Sequence, residues 1–121
     1  MQIEAYRNFC LSLPGATESI PFPKLPSVLV FKVGGKMFTA TDLDTFNGFS
    51  IKCVPETIDE LKAAYPSLQD PSYFSKKHWC NVVMDGQVPD ETLFAWLRTS
   101  YDLVVANLSK KTQKELGLTP E

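Results

Sequence analysis

Hydrophobic positions along the chain follow two periods. Ile3, Tyr6, Phe9, Cys10 and Leu13 recur at the spacing of one helix face, and Pro14-Gly15 ends the run, which predicts an amphipathic helix over residues 2–13. Pro21, Pro23 and Pro26 follow closely. Residues that lack an N–H and hold φ fixed suit an extended edge or loop, not a central strand or helix. The period then changes to two in SVLVFKVGGKMFTATDLD, where β-branched and aromatic residues flank Gly34-Gly35. Glycines tolerate the positive φ of a primed two-residue turn, so a hairpin is predicted. With Val33 opposite Lys36, a regular ladder sets Phe31 against Phe38 and Leu29 against Ala40, all six facing the core. Val28, Val30, Lys32, Met37, Thr39 and Thr41 then take the outer face.

NGFSIKCV repeats the pattern after an expected Asn47-Gly48 turn, with Phe49, Ile51 and Cys53 on one side and Ser50 and Lys52 on the other. Pro55 suits the first turn of a helix reaching about Tyr65, with Ile58, Leu61 and Tyr65 as its apolar stripe and Pro66 as its stop. WCNVVMDG reads as a strand ending at an Asp85-Gly86 turn. His78, Cys80, Val82 and Met84 form its apolar side, and Trp79, Asn81, Val83 and Asp85 lie opposite. Pro89-Asp90 opens the longest helix, to about Leu108, striped by Leu93, Trp96, Leu97, Tyr101, Val104, Val105 and Leu108. SKKTQKELG adds a short terminal helix capped by Ser109. The order predicts an α+β fold: an antiparallel twisted sheet with the N- and C-terminal helices packed on one face, plus a short inserted helix.

At 121 residues, with 44% hydrophobic and 21% charged positions, the chain suits one domain over residues 1–121, expected to be a monomer. Cys10, Cys53 and Cys80 are scattered and odd in number, which favours a reducing, cytoplasmic setting over a disulfide framework. The start MQIEAYRNFC lacks the apolar run of a signal peptide, and no segment has the length of a membrane span, so no membrane association is expected. A net charge of −2 means that any nucleic-acid site must be a local patch working against the mean field.

Five stretches, LPGATES, PFPKLPSVLVFKVGGKMFTA, IKCVPE, YFSKKHWCNVVMDG and SYDLVVANLSKK, occur in an order that resembles the MmcQ/YjbR family of small bacterial proteins. VFKVGGKMF, followed later by KHW and SYDLV, carries most of that specificity. The resemblance covers nearly the whole chain. It implies a CyaY-like, that is frataxin-like, fold and a DNA-binding role. Two departures stand out: PFPKLPS is rich in proline where relatives often carry a glycine-containing turn, and Cys80-Asn81 follows the tryptophan where a polar pair is common. Frataxin-like proteins that handle iron carry an acidic band on the first helix and strand. This chain offers only Glu4 and Glu18 there, so an iron role does not come with the fold.

The candidate chemistry is sparse. One histidine and three dispersed cysteines supply no usual zinc spacing, so no metal or other cofactor is expected. The chain has no nucleophile elbow and no glycine-rich phosphate loop. A Cys80–His78 pair is conceivable on strand parity, but an inward cysteine is ordinarily an inert small hydrophobe, and no catalytic residue is assigned. Asp59-Glu60 and Asp90-Glu91 fall in helix first turns, where the dipole accounts for them. There remains the outer sheet face. Lys32, Lys52, Trp79 and Asn81, with Lys76, Lys77 and His78 at the rim, combine cations, amide hydrogen bonding and a stacking ring, the requirements of binding DNA or RNA backbone and bases. An open sheet also has a polar solvent face as a matter of course, so each of these residues taken singly is unremarkable. The alternative use of the face is docking of a protein partner, for which an outward tryptophan is a favoured anchor. Lys110, Lys111 and Lys114 near the C-terminus extend such a patch only if their helix docks beside the sheet.

Overall fold

The computed structural model describes residues 1–72 and 74–118; Tyr73, inside the YFSKKHW stretch, and residues 119–121 lie outside that description. The elements are α1 (Ile3–Ser12), β1 (Ala16–Ser19), β2 (Val28–Val33), β3 (Lys36–Asp42), β4 (Gly48–Lys52), a 3₁₀ turn (Pro55–Thr57) leading into α2 (Ile58–Ala64), β5 (Leu68–Gln69), β6 (Trp79–Val83), α3 (Asp90–Asn107) and α4 (Lys110–Glu115). The strands form one antiparallel sheet in the order β1-β2-β3-β4-β6-β5. This is the α+β architecture the patterning predicts. β1 takes the sheet edge just ahead of the three prolines, and β5, a two-residue strand with no period to betray it, closes the other edge.

The helices meet the sheet through an aromatic core. Tyr6 of α1 stacks on Phe49 at 5.3 Å and meets Phe31 edge-on at 5.4 Å. Phe38 meets Tyr101 of α3 edge-on at 5.4 Å, and Phe9 stacks on Phe94 between the two helices at 4.7 Å. Such pairs contribute about 0.5–1.5 kcal/mol each beyond the area they bury. Along α3 the buried positions are Leu93, Leu97, Ser100, Tyr101 and Val104, the stripe expected of the main helix on a sheet with a serine set into it.

Gly34 and Gly35 both have positive φ, 58° and 78°, and Val33 pairs with Lys36, so the primed turn forms as expected. Beyond it the regular ladder fails. Lys32 pairs with Met37, yet Phe31 pairs with Thr39, leaving Phe38 as an extra residue on β3. A bulge of this kind turns two consecutive side chains to the same side. Phe38 and Thr39 are both fully buried, and the Thr39 hydroxyl lies 2.9 Å from the Tyr6 hydroxyl. From Thr39 onward every β3 side chain is on the face opposite to the one a regular ladder assigns. Thr39 and Thr41 belong to the core side, Thr41 donating to the Gly48 carbonyl at 2.6 Å, and Ala40 joins the outer face opposite Ser50. The expected pairs Phe31–Phe38 and Leu29–Ala40 are therefore replaced by Phe31–Thr39 and Leu29–Thr41.

The Asn47-Gly48 turn is also not where the chain reverses. Asp42 organises that reversal: its carboxylate accepts the Asp44 N–H at 2.8 Å and its carbonyl accepts the Phe46 N–H at 2.9 Å. Phe46 holds a positive φ of 37°, unusual for a residue with a side chain, while its ring packs 5.3 Å from Tyr6. Gly48 is the first residue of β4.

Candidate functional site

The face away from α1 and α3 carries the predicted residues in a defined register. Lys52 stands opposite Trp79 and Ser50 opposite Asn81 on β4 and β6, while Lys32 stands opposite Met37 on β2 and β3. Trp79 is half-buried, its ring 5.1 Å from that of Phe74 at a 38° tilt. That contact holds one side of the indole.

β3 and β4 pair only as far as Thr39 and Ile51, then separate. The Ser100 hydroxyl of α3 enters the gap, accepting the Lys52 N–H at 2.7 Å and donating to the Phe38 carbonyl at 2.5 Å. The bulge and the serine bridge together open a groove of about 410 Å³ lined by Lys36, Met37, Lys52 and Trp79 from the sheet and Val104 and Asn107 from α3. Sequence parity does not mark Lys36 as a site residue, since a regular hairpin turns it toward the core. Beside the turn, however, it is exposed. Among the described residues Lys32, Lys36 and Lys52 make no ion pair.

The remaining rim residues separate from this groove. Lys76 and Lys77 line a different concavity of about 350 Å³, shared with Asp59, Lys62 and Asp70. There Lys62 and Asp70 form an ion pair at 2.5 Å that raises the pKa of the lysine and lowers that of the carboxylate. His78 lies in the turn before β6, its N–H donating to the Ser75 carbonyl at 3.1 Å and its carbonyl accepting the Cys53 N–H at 2.7 Å. Asn81 faces a third concavity together with Ser50. α4 does dock beside the sheet: a Cβ placed on Gly34 would come within 3.2 Å of Thr112, and one on Gly15 within 3.8 Å of Leu116. Lys110, Lys111 and Lys114 thus sit at the end of the sheet where Lys36 lies.

Cys80 is fully buried on the core side with the Cys53 thiol near it, and that thiol donates to the Ile51 carbonyl at 4.0 Å. The interaction between the two neighbouring thiols raises the pKa of Cys53 and, against the effect of burial, lowers that of Cys80. Nucleophilic chemistry requires access as well as ionisation. Cys53 and Cys80 are therefore expected to resist iodoacetamide at neutral pH and to react once the protein is unfolded, as counted by mass spectrometry. Rapid modification of Cys80 in the native protein would reopen an enzymatic role. Among the described residues there is no cluster of three or more His, Cys, Asp or Glu side chains able to hold a metal ion, and no helix is long and apolar enough to cross a membrane.

The YjbR family model matches residues 11–103, which takes in the hairpin, the Trp79 strand and most of α3. The chain belongs to the YjbR family. It is 30% identical to YbdF of Escherichia coli O157:H7 over 93% of this chain and 92% of that one. It is 25% identical to YjbR of Escherichia coli K12 over 96% and 98%. The crystal structure of Deinococcus radiodurans DR2400, carrying the family-model domain DUF419, superposes with a TM-score of 0.89 at 38% identity, covering 98% of this chain and 89% of that one. A Pseudomonas syringae protein at 17% identity and a TM-score of 0.72, over 85% and 98%, shares the fold. Membership of the YjbR family brings the fold and no activity with it. In this YjbR domain several motif residues have structural work. Tyr101 of SYDLV donates to the Pro14 carbonyl of LPG, and Ser100 bridges β3 and β4. Gly34 of KVGGK gives room to Leu108, whose methyl carbon would lie 2.7 Å from a Cβ there.

Proposed function

We propose that this YjbR domain is a noncatalytic binding module for single-stranded nucleic acid, with the groove edged by Lys36, Lys52 and Trp79 as its contact surface and Lys32 beside it. One observation carries the reading. In a chain of net charge −2, these three lysines have no ion-pair partner among the described residues, and two of them, Lys36 and Lys52, line one groove with a half-buried indole. Unpaired ammonium groups neutralise phosphates, and an aromatic face stacks on bases of any identity. Lys76 and Lys77 contribute less in this reading, because Asp59 and Asp70 share their concavity.

Three phosphate contacts give a slope of about −2 for log affinity against log salt on a single strand, so binding should weaken about 20-fold from 50 to 200 mM salt. Fluorescence anisotropy with a labelled 15-nucleotide DNA measures this. Joint replacement of Lys32, Lys36 and Lys52 by alanine should flatten the slope, and Trp79→Ala should cost about tenfold in affinity. Lys76→Ala with Lys77→Ala should change it little. Absence of binding to DNA and RNA at 20 mM salt, or binding indifferent to the triple replacement, sinks the proposal.

A further inference from the structure

Next to Trp79, on the same sheet face, lies a smaller concavity of about 210 Å³. Ala40, Ser50 and Asn81 form its floor, Phe74 and Leu25 stand at its sides, and Asp42 lies at one end. It is below the ~300–1,000 Å³ of sites for drug-sized molecules, so it suits one planar group and not a whole nucleotide. Its chemistry differs from that of the lysine groove. Among the described residues no cation lines it, and the Ser50 hydroxyl and the Asn81 amide make no hydrogen bond with any described residue. The Asp42 carboxylate is held by the Asp44 N–H at 2.8 Å and, at 3.4 Å, by the Ser27 hydroxyl. Each carboxylate oxygen accepts more than one hydrogen bond, so capacity remains for a donor from a ligand. An acceptor-only group excludes phosphate from this end.

The two concavities are joined by Phe74, which walls the smaller one and packs on Trp79 at the larger. The pairs Ser50–Asn81 and Lys52–Trp79 are two residues apart along their strands, or roughly 7 Å. That is the scale of the distance from a base to its own phosphate. We infer that the smaller concavity receives one unstacked nucleobase bearing an exocyclic amino group, with the phosphate of that nucleotide on Lys52. The inference rests on the nucleic-acid reading of the lysine groove for its phosphate contact. Cytosine presents to the pocket an amino donor for Asp42 and a ring nitrogen and carbonyl for the Asn81 amide. Thymine places a carbonyl where the amino group would be, against a carboxylate that cannot donate.

The base has two possible sources, a strand or a free nucleotide, and one set of titrations separates them. Labelled dC15 and dT15 are compared by anisotropy at 50 mM salt, and dCMP and dTMP by their effect on the Ser50 and Asn81 amide resonances. A preference for dC15 of about tenfold is expected, the size of one good base contact. Asp42→Asn should erase the preference and leave the salt slope intact, since asparagine retains the oxygen that accepts Asp44 N–H. Asn81→Ala, a change on the open face, should do the same. dCMP should shift the Ser50 and Asn81 resonances and dTMP should not. If dCMP discriminates but the oligonucleotides do not, the pocket stands as a free-nucleotide site and the strand as its source is overturned. Equal binding of dC15 and dT15 with no dCMP-specific shift overturns the pocket and leaves the lysine groove standing. Failure of every oligonucleotide together with a dCMP-specific shift does the reverse.

Discussion

Replacing Gly48 by alanine is expected to destabilise the domain by about 3 kcal/mol, near the top of the usual range for forcing extra atoms into a packed region. Gly48 opens β4 directly beside β6, where a Cβ would lie 2.4 Å from the carbonyl oxygen of Val82. The obstacle is the backbone of a paired strand, not the mobile end of a side chain. Only a separation of β4 from β6 relieves it, and that weakens the ladder through Phe49–Val82 and Ser50–Asn81. The same methyl group at Gly35 would meet nothing within 4 Å, so Gly35→Ala should suffer only the cost of its φ of 78°. Urea unfolding of the two variants separates the mechanisms. If Gly48→Ala proves no worse than Gly35→Ala, the close approach of β4 to β6 is not as described. A lowered m-value for Gly48→Ala would place the damage in a loosened native sheet.

Gly48 also shows where patterning stops being informative. Asn47-Gly48 is among the strongest hairpin signals a sequence can hold, and here Gly48 serves interstrand proximity while Asp42 makes the turn. A dipeptide reports a tolerance for positive φ; it does not report which neighbouring backbone needs the space. The bulge at Phe38 has the same character. Strict alternation along KMFTATD fits a flat ladder well, and nothing local signals that burying Phe38 and Thr39 together against Tyr101 and Tyr6 is better. One extra residue moves Thr39, Ala40 and Thr41 to the faces opposite to those expected. By contrast α1, the Gly34-Gly35 turn and α3 are legible, because each depends on a long apolar stripe or on a conformation that glycine readily adopts.

The candidate face was legible in part for the same reason. Lys52, Trp79 and Asn81 sit on β4 and β6, where pairing is regular, so parity places them correctly on the outer side. Lys76 and Lys77 precede the strand in a turn, and adjacency in sequence to Trp79 does not carry them to its face; they turn to Asp59 and Asp70. Lys36 enters the groove only because the sheet opens between β3 and β4, which is a consequence of the bulge. Phe74 reaches its place through a loop whose course no periodicity describes, and Asp42, the last residue of β3, is on the outer face because the bulge shifts that strand by one residue.

Ser100→Ala should be the most informative change at that opening, because it removes a single oxygen and leaves the packing of α3 unchanged. The hydroxyl replaces the ladder bond that β3 and β4 fail to make, satisfying the Lys52 N–H and the Phe38 carbonyl in a place with no access to water: Ser100 is 0% exposed. Each buried polar group left unpaired costs about 1–3 kcal/mol, so the pair predicts a loss of about 2–6 kcal/mol from a substitution that elsewhere on a helix would stabilise. Amide hydrogen exchange locates the effect. Protection at Lys52 should fall far more than at Ile51, whose partners lie on the intact side of the ladder. Because Lys52 and Trp79 line the groove at the same opening, the variant should also bind single-stranded DNA less tightly than its stability predicts at temperatures where it stays folded. A stability change under about 0.5 kcal/mol would mean that water or a shifted β3 replaces the hydroxyl. The groove would then owe its shape to the bulge alone.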